Sequence, residues 1–314
     1  MAKLTGTLCI LAALVLTGTA SVNGAPNGLV IILTDYGDVD HYVGMLKGAI
    51  YSVSTDLKVD TITNEVWPFD VPDGAFMLYE AAALFPPGTT FVAIVDPGSG
   101  KDRMPIALKT KDGKYFVGPD NGILDLVADR MGADEIRLIA NHDFMRKEAI
   151  SGMFHGYDMF GPAAAHIAAG APFDKIGPVI AAENRISLPE ASLEDDGSIS
   201  GDTLYIDHYG NLTTNIVYKQ VKEAGYAIGD MIPIKVGIKK IEARFAENYG
   251  EGRRGALVCI IDNGGFLELA VNQGSFVNSI DLKTKPPIII ESRKKDAKGK
   301  QAEPSPGSDG QNPH

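Results

Sequence analysis

From Gly28 to about Val179, short apolar runs alternate with helical stretches, and this alternation constrains the fold more than any other feature of the chain. Leu29–Leu33, Leu57–Ile62 and Thr90–Val95 read as strands, followed by Ile106–Lys109 and Tyr115–Val117. Between them, Asp40–Val53 has an acidic start and apolar residues at Val43, Leu46 and Ile50, which is helical spacing. Pro72–Phe85, with Pro in its first turn, reads as a second helix. Gly122–Arg130 and the Ala-rich, close-packing Asp158–Ala169 are two more. Such alternation predicts a largely parallel, doubly wound α/β sheet.

The pattern changes after Ala181–Gly201, a polar stretch carrying Glu183, Pro189, Glu190, Glu194, Asp195, Asp196 and Gly197. Beyond it the apolar runs are short, strand-like and punctuated by Gly: Gly201–Ile206, Met231–Val236, Ala256–Ile261, Phe266–Val271 and Pro287–Ile290. They predict a small all-β, barrel-like domain. The expected organisation is a leader over 1–25, an α/β domain over 26–182, a linker over 183–200, the β domain over 201–293 and a disordered tail over 294–314. Lys, Gly, Ser, Pro and Gln dominate that tail.

Met1-Ala2-Lys3 followed by the apolar Leu8–Leu16 and small residues at Gly18, Ala20, Ser21, Gly24 and Ala25 has the form of a cleaved export signal. The apolar run is short for a bilayer span, so a membrane anchor is the lesser alternative and no stable span is expected after cleavage. The expected location is periplasmic or secreted. Only two cysteines occur, and Cys9 leaves with the signal. Cys259, within an apolar run, therefore reads as a core residue without a disulfide. With a formal net charge of −11 and no basic run in the presumed folded part, nucleic acid is excluded as a partner.

The chemistry sits where strands run out. Thr90–Val95 ends in Asp96-Pro97-Gly98, with Arg103 seven residues after the Asp. Leu33-Thr34-Asp35-Tyr36-Gly37 and Gly118-Pro119-Asp120-Asn121-Gly122 are similar endings, and Phe154-His155-Gly156 adds an imidazole. Ligands collect beyond the carboxyl ends of strands in open α/β sheets, so these segments read as one polar pocket. Gly98-Ser99-Gly100-Lys101 imitates a phosphate loop. However, Asp102 replaces its Ser or Thr and Val95 its first Gly, so it is not a nucleotide triphosphate site.

These segments, with Pro68-Phe69-Asp70-Val71 and Ile206-Asp207-His208-Tyr209-Gly210-Asn211-Leu212-Thr213-Thr214-Asn215-Ile216, resemble the S-adenosyl-L-methionine hydroxide adenosyltransferase family, relatives of the fluorinating and chlorinating adenosyl enzymes. The resemblance runs from about Leu29 to Ile290. It implies hydrolysis of S-adenosyl-L-methionine to adenosine and L-methionine, with the ligand as substrate and neither cofactor nor metal required. Carried over residue by residue, it places water activation on Asp96, Arg103 and His155, and ribose recognition on Asp35. Phe69, Ser99, Phe154 and Gly156 fall at positions around the ligand. Asp207 and Asn211 match residues holding the methionine amino group and the adenine edge, and Asn263 lies where relatives grip the methionine carboxylate. The halogenating relatives replace the acid retained here as Asp96, which points to water rather than halide. Departures from the family pattern are Ser99 for a frequent Val, Tyr157 for a frequent Arg, Met104 for a second basic residue, and the Ser-poor Asp262–Leu267. The resemblance also implies a homotrimer with sites between one subunit's α/β domain and its neighbour's β domain.

Without the resemblance the same residues are ordinary. Asp before Pro-Gly is a common turn, Arg103 a surface strand residue, and a lone His in a Gly-rich loop a structural one. Asp35 suits an Asx turn or a helix N-terminus equally well. Two rival functions stand beside the hydrolase. One is a metal-dependent hydrolase using ligands from Asp35, Asp38, Asp40, His41, Asp96, His155 and Asp158, although no paired-histidine motif is present. The other is a secreted protein that binds an adenosyl or nucleoside ligand without turnover.

Overall fold

The computed structural model describes residues 24–97, 103–147, 154–181 and 189–293. The expected leader, the tail after Arg293 and Ser99 therefore lie outside the described residues, apart from Gly24 and Ala25. The N-terminal half is a six-stranded sheet built on β1 (Leu29–Thr34), which lies between β2 (Lys58–Thr63) and β3 (Thr90–Ile94), parallel to both. β5 (Tyr115–Pro119) continues parallel to β3. β4 (Pro105–Thr110) then runs antiparallel between β5 and β6 (Ala133–Leu138), giving the order β2-β1-β3-β5-β4-β6.

Strand periodicity divides the core. Val30, Ile32, Val92 and Ile94 face one side, against α1 (Tyr42–Val53) and α4 (Gly161–Ala168). Ile31, Leu33, Phe91 and Ala93 face the other, against α2 (Val71–Ala82) and α3 (Asp125–Arg130). With both faces covered, the central strands can be apolar throughout, and every residue of β3 is buried. α1 and α4 meet closely because position 161 is glycine; a Cβ there would come within 2.8 Å of Leu46 Cδ1.

α4 begins later than its sequence predicts. Residues Gly156–Phe160 form a wider π-helical turn instead of the first α-turn. Pro162 has no N–H and its ring crowds the carbonyl four residues back, so the ordinary helical bond cannot form there. That carbonyl, on Asp158, accepts the backbone N–H of Arg146 at 2.9 Å instead.

The C-terminal half is a β-barrel of seven strands: β8 (Ile199–Ile206), β9 (Leu212–Val217), β10 (Met231–Val236), β11 (Lys239–Phe245), β12 (Leu257–Ile261), β13 (Phe266–Val271) and β14 (Pro287–Ile290). β14 pairs with both β10 and β8, which closes it. β7 (Ser192–Leu193) adds a two-residue edge to β8. Two short helices interrupt the otherwise all-β pattern, α5 (Tyr218–Glu223) and α6 (Phe276–Ser279). Ile199, Ile234, Phe245, Leu269 and Ile290 fill the barrel together with Cys259, which is buried and free, its thiol pushed up to about 12 by burial. The halves meet through α2 and β8, where Phe76 stacks on Tyr205 at 5.2 Å and meets Phe266 edge-on. Among the described residues, no helix is long and apolar enough to cross a membrane.

Candidate active site

The register of the sheet assembles the site. Thr34 of β1 lies opposite Ile94 of β3, so Asp35 and Asp96 leave the same edge on neighbouring strands, which are spaced about 4.8 Å apart. β5, parallel to β3, delivers Asn121 there; its amide donates to the Val95 carbonyl at 2.8 Å and ties the two strand ends together. Arg103 arrives by the opposite logic. Because β4 is antiparallel, with Pro105 opposite Pro119, its beginning rather than its end lies at the carboxyl edge. The two residues preceding β4 are therefore at the site, and the Arg103 guanidinium forms an ion pair with Asp96 while also donating to the Pro97 carbonyl. Two anchors on one planar fork fix its orientation.

His155 comes from the start of the π-turn. Gly156 beside it packs against the Tyr36 hydroxyl so closely that a Cβ would come within 2.6 Å of the oxygen and 3.4 Å of Ile94. Only glycine lets this loop reach the β1 and β3 ends. The Tyr36 phenol is pushed well above its ordinary range by burial, with Asp35, Asp96 and Tyr157 adding negative charge around it. Phe154 stacks between Tyr42 and Tyr157, with ring centroids 5.7 and 5.5 Å away.

Asp35 is half-buried and its carboxyl is raised, chiefly by burial; the N–H of Phe69 opposes the shift and the charge of Asp96 adds to it. That N–H donates to Asp35 Oδ2 at 3.0 Å. Phe69 makes the bond from a left-handed backbone conformation, φ +67°, which is costly for a residue with a Cβ and characteristic of functional loops. Phe69 is 70% exposed and nearby Trp67 73% exposed, so two large aromatic residues stand in solvent at the rim.

The structure thus gathers Asp35, Asp96, Arg103, His155, Gly156 and the Phe69 backbone at one edge. Asp207 and Asn211 it places in the barrel, engaged with each other: Asp207 accepts the backbone N–H of Asn211 at 2.8 Å and its side-chain amide at 2.9 Å. Asn263 is exposed in the β12–β13 turn, whose Gly264 packs on Tyr79 and Glu80 near the end of α2. From the Asp70 cap to Tyr79 is roughly 14 Å along a helix, so within one chain Asn263 lies far from the edge. Two of the residues read as metal ligands are engaged elsewhere. Asp158 is fully buried against Arg146 at 2.8 Å, and Asp38 accepts from Asn64 at 2.8 Å. Among the described residues, no three His, Cys, Asp or Glu side chains come together as a metal group.

Tyr36, Tyr42 and Asn121 received no role from sequence. Tyr36 and Asn121 lay inside the motifs that located their neighbours, so motif membership was the available signal. A cavity of about 830 Å³ lies between α1 and the residues around Met145, Arg146 and His166, with Tyr157 on its wall. The strand-end cluster has the stronger claim to chemistry, because two carboxylates and a fixed guanidinium converge there beside the turn that carries His155.

Comparison with known proteins follows the same division of the chain. The model of the SAM hydroxide adenosyltransferase N-terminal domain matches residues 30–177, and that of the family's C-terminal domain matches residues 201–289. The (R)-S-adenosyl-L-methionine hydrolase of Methanocaldococcus jannaschii is 33% identical over 251 residues, covering 77% of this chain and 88% of that protein. The hydrolase of the same name from Thermus thermophilus is 32% identical over 268 residues, covering 83% and 98%. A fluorinase from Nocardia brasiliensis is 27% identical over 282 residues, covering 81% and 94%. A solved structure of a conserved Thermotoga maritima protein superposes with a TM-score of 0.74 at 36% identity, covering 83% of this chain and 99% of that one.

Proposed function

Because this chain belongs to the SAM hydroxide adenosyltransferase family, we infer that it is a hydrolase converting S-adenosyl-L-methionine and water to adenosine and L-methionine. The observation that carries the reading is the Asp96–Arg103 ion pair beside Asp35 at one sheet edge, with the turn that carries His155 packed there through Gly156.

In the proposed reaction, the water oxygen attacks ribose C5′ as the C5′–S bond breaks. The sulfonium takes the bonding pair and leaves as the neutral thioether of methionine, and one proton departs from the water. Water is a poor nucleophile toward saturated carbon, so it must be oriented and partly deprotonated. Asp96 and His155 are suited to fix its direction and take the proton, and the Arg103 guanidinium stabilises developing hydroxide. Cation and developing anion neutralise each other in the transition state, which a water-poor pocket favours. Asp35 would bridge the ribose hydroxyls, with Phe69, Phe154 and Gly156 beside the adenosyl group. No step requires a metal, so chelator should leave turnover unchanged.

Asp207, Asn211 and Asn263 would hold the adenine edge and the methionine end from a second copy, in a homotrimer. The distance of Asn263 from the edge within one chain supports that arrangement. Export as a periplasmic or secreted protein rests on the Met1–Ala25 leader pattern. Gly24 is buried and its carbonyl accepts the Tyr115 hydroxyl at 3.1 Å, a bond that favours cleavage ahead of Gly24 over the expected boundary after Ala25.

The deciding experiment is turnover in isotope-labelled water, with and without chelator. The label is expected at the 5′-oxygen of adenosine. Label in methionine, or a product that depends on halide, would overturn the assignment. Binding without product would leave the chain a nucleoside-binding protein.

A further inference from the structure

We propose that Lys285, from the barrel, is a positioning residue for the rim of the adenosyl site, acting through Asp70 and Asp73 to set the Trp67–Asp70 turn against Asp35. The proposal rests on the hydrolase reading for its substrate and on contacts across the domain boundary for its geometry. Lys285 Nζ lies 2.7 Å from Asp70 Oδ2, 2.7 Å from Asp73 Oδ1 and 2.9 Å from the Leu204 carbonyl. One ammonium with three donors thus joins both carboxylates at the start of α2 to strand β8 of the barrel.

Each carboxylate is in turn a hinge of the turn. Asp70 caps α2, accepting the Asp73 N–H at 3.0 Å, and its own N–H returns to the Trp67 carbonyl at 3.0 Å. Asp73 accepts the Trp67 N–H through its other oxygen at 3.4 Å. Between them sits Phe69, whose strained backbone donates to Asp35. A left-handed phenylalanine persists only where its surroundings over-determine it. Here the constraint comes from both sides, Asp35 on one and the Lys285 clasp on the other.

Burial already raises the Asp73 carboxyl, and Lys285 works against that shift. Without the ammonium, two neighbouring carboxylates at the helix start would repel each other and compete for protons. The turn would lose its lower anchor, and Phe69 would be released to an ordinary conformation. Asp35 would then lose a fixed donor although nothing in its own strand had changed.

The chain's one tryptophan is Trp67, so its fluorescence reports the turn directly. The test compares Lys285→Met and Lys285→Arg with the full-length protein in Trp67 emission, KM for S-adenosyl-L-methionine, kcat and Tm. Lys285→Met should shift the emission and raise KM about 10- to 100-fold, the range of a lost hydrogen bond to a charged group, while kcat stays within about threefold. Lys285→Arg should recover most of both. A folded Lys285→Met protein with wild-type emission and KM overturns the proposal, as does a kcat loss at constant KM. If Lys285→Met does not fold, Lys285→Met/Asp73→Asn removes the repulsion without restoring the clasp; wild-type KM and emission in that protein overturn the proposal equally. Should the wild-type protein fail to cleave S-adenosyl-L-methionine, the hydrolase reading falls. The emission shift still decides the clasp by itself.

Discussion

The carboxyl edge of the N-terminal sheet and the β8–β9 turn of the barrel each present an Asp beside a polar partner, yet the two are held in opposite ways. At the edge, Asp35 is bonded by Phe69, 34 residues away, and Asn121 reaches the Val95 carbonyl across 26. In the barrel, Asp207 is satisfied by Asn211, four residues on, while Asp262 accepts from Phe266, also four residues on, through one oxygen only. Local turn chemistry accounts for the barrel residues without any ligand. Local turns do not account for Asp35 and Asn121 at the edge, where the whole sheet must bring the partners together and leaves a desolvated carboxyl at Asp35. Long-range convergence of charged groups is therefore the stronger sign of function, and self-satisfied turns have to be tested for it.

The largest expected effect separates two acids within the edge. Asp96→Ala should lower kcat by about 10²- to 10⁴-fold, the contribution of a positioned acid–base group, while ligand affinity holds. Asp35→Ala should instead weaken binding by about 1–3 kcal/mol through lost charge-assisted hydrogen bonds. Calorimetric titration of both proteins with S-adenosyl-L-methionine decides the matter. Equal losses of affinity would mean that the edge acts as one unit, without the division of labour proposed.

Glu268 breaks the pattern of local satisfaction within the barrel more strongly. Glu268 of β13 is 8% exposed and accepts the Tyr249 hydroxyl at 2.8 Å. Its carboxyl is raised from 4.5 to about 7, mainly by burial; the Tyr249 bond opposes this, and the charges of Asp207 and Asp262 add to it. The folded state therefore holds a proton that the unfolded chain releases near pH 4.5. This contribution to stability is complete below that pH and is lost as pH rises toward 7. At about 1.4 kcal/mol per pH unit, the loss is at most about 3.5 kcal/mol. Glu268→Gln keeps the shape and cannot ionise, so its Tm should exceed wild type at pH 8 and match it near pH 4. Parallel Tm curves across that range would show that Glu268 is not protonated in the folded barrel.

How much was legible in sequence follows the same contrast. Strands β1 and β3 announced themselves because both faces are buried and their residues are apolar throughout, and the Asp at each end came with them. β6 stayed hidden because Asp134, Glu135 and Arg137 surround the single buried apolar residue Ile136. β9 went unread as a strand although Thr213, Thr214 and Asn215 are buried, since their polar groups are satisfied by partners such as the Leu267 carbonyl, invisible in local pattern. Arg103 was found by motif, but its place at the edge depends on β4 running backwards, which no local spacing encodes. The clasp from Lys285 to Asp73 spans 212 residues, and the positive φ of Phe69 follows from contacts rather than from residue type.

The smallest effect asks whether the β8–β9 turn is anything more than a turn. Asn211→Ala removes the side-chain bond to Asp207 and leaves both backbone bonds of the hairpin in place, Asn211 N–H to Asp207 Oδ1 at 2.8 Å and Asp207 N–H to the Asn211 carbonyl at 3.0 Å. One neutral-donor bond at a half-exposed site contributes about 0.5–1.5 kcal/mol, so urea denaturation should show a loss of that size with an unchanged m-value. If Asn211 also reads the adenine edge, KM must rise beyond wild type under conditions where the variant is fully folded. Affinity unchanged beside the expected loss of stability would reduce Asn211 to turn chemistry and remove the barrel's adenine contact from the proposed site. A rise in KM shows that a residue fully satisfied within its own turn still serves the ligand, and that local satisfaction alone does not separate structure from function.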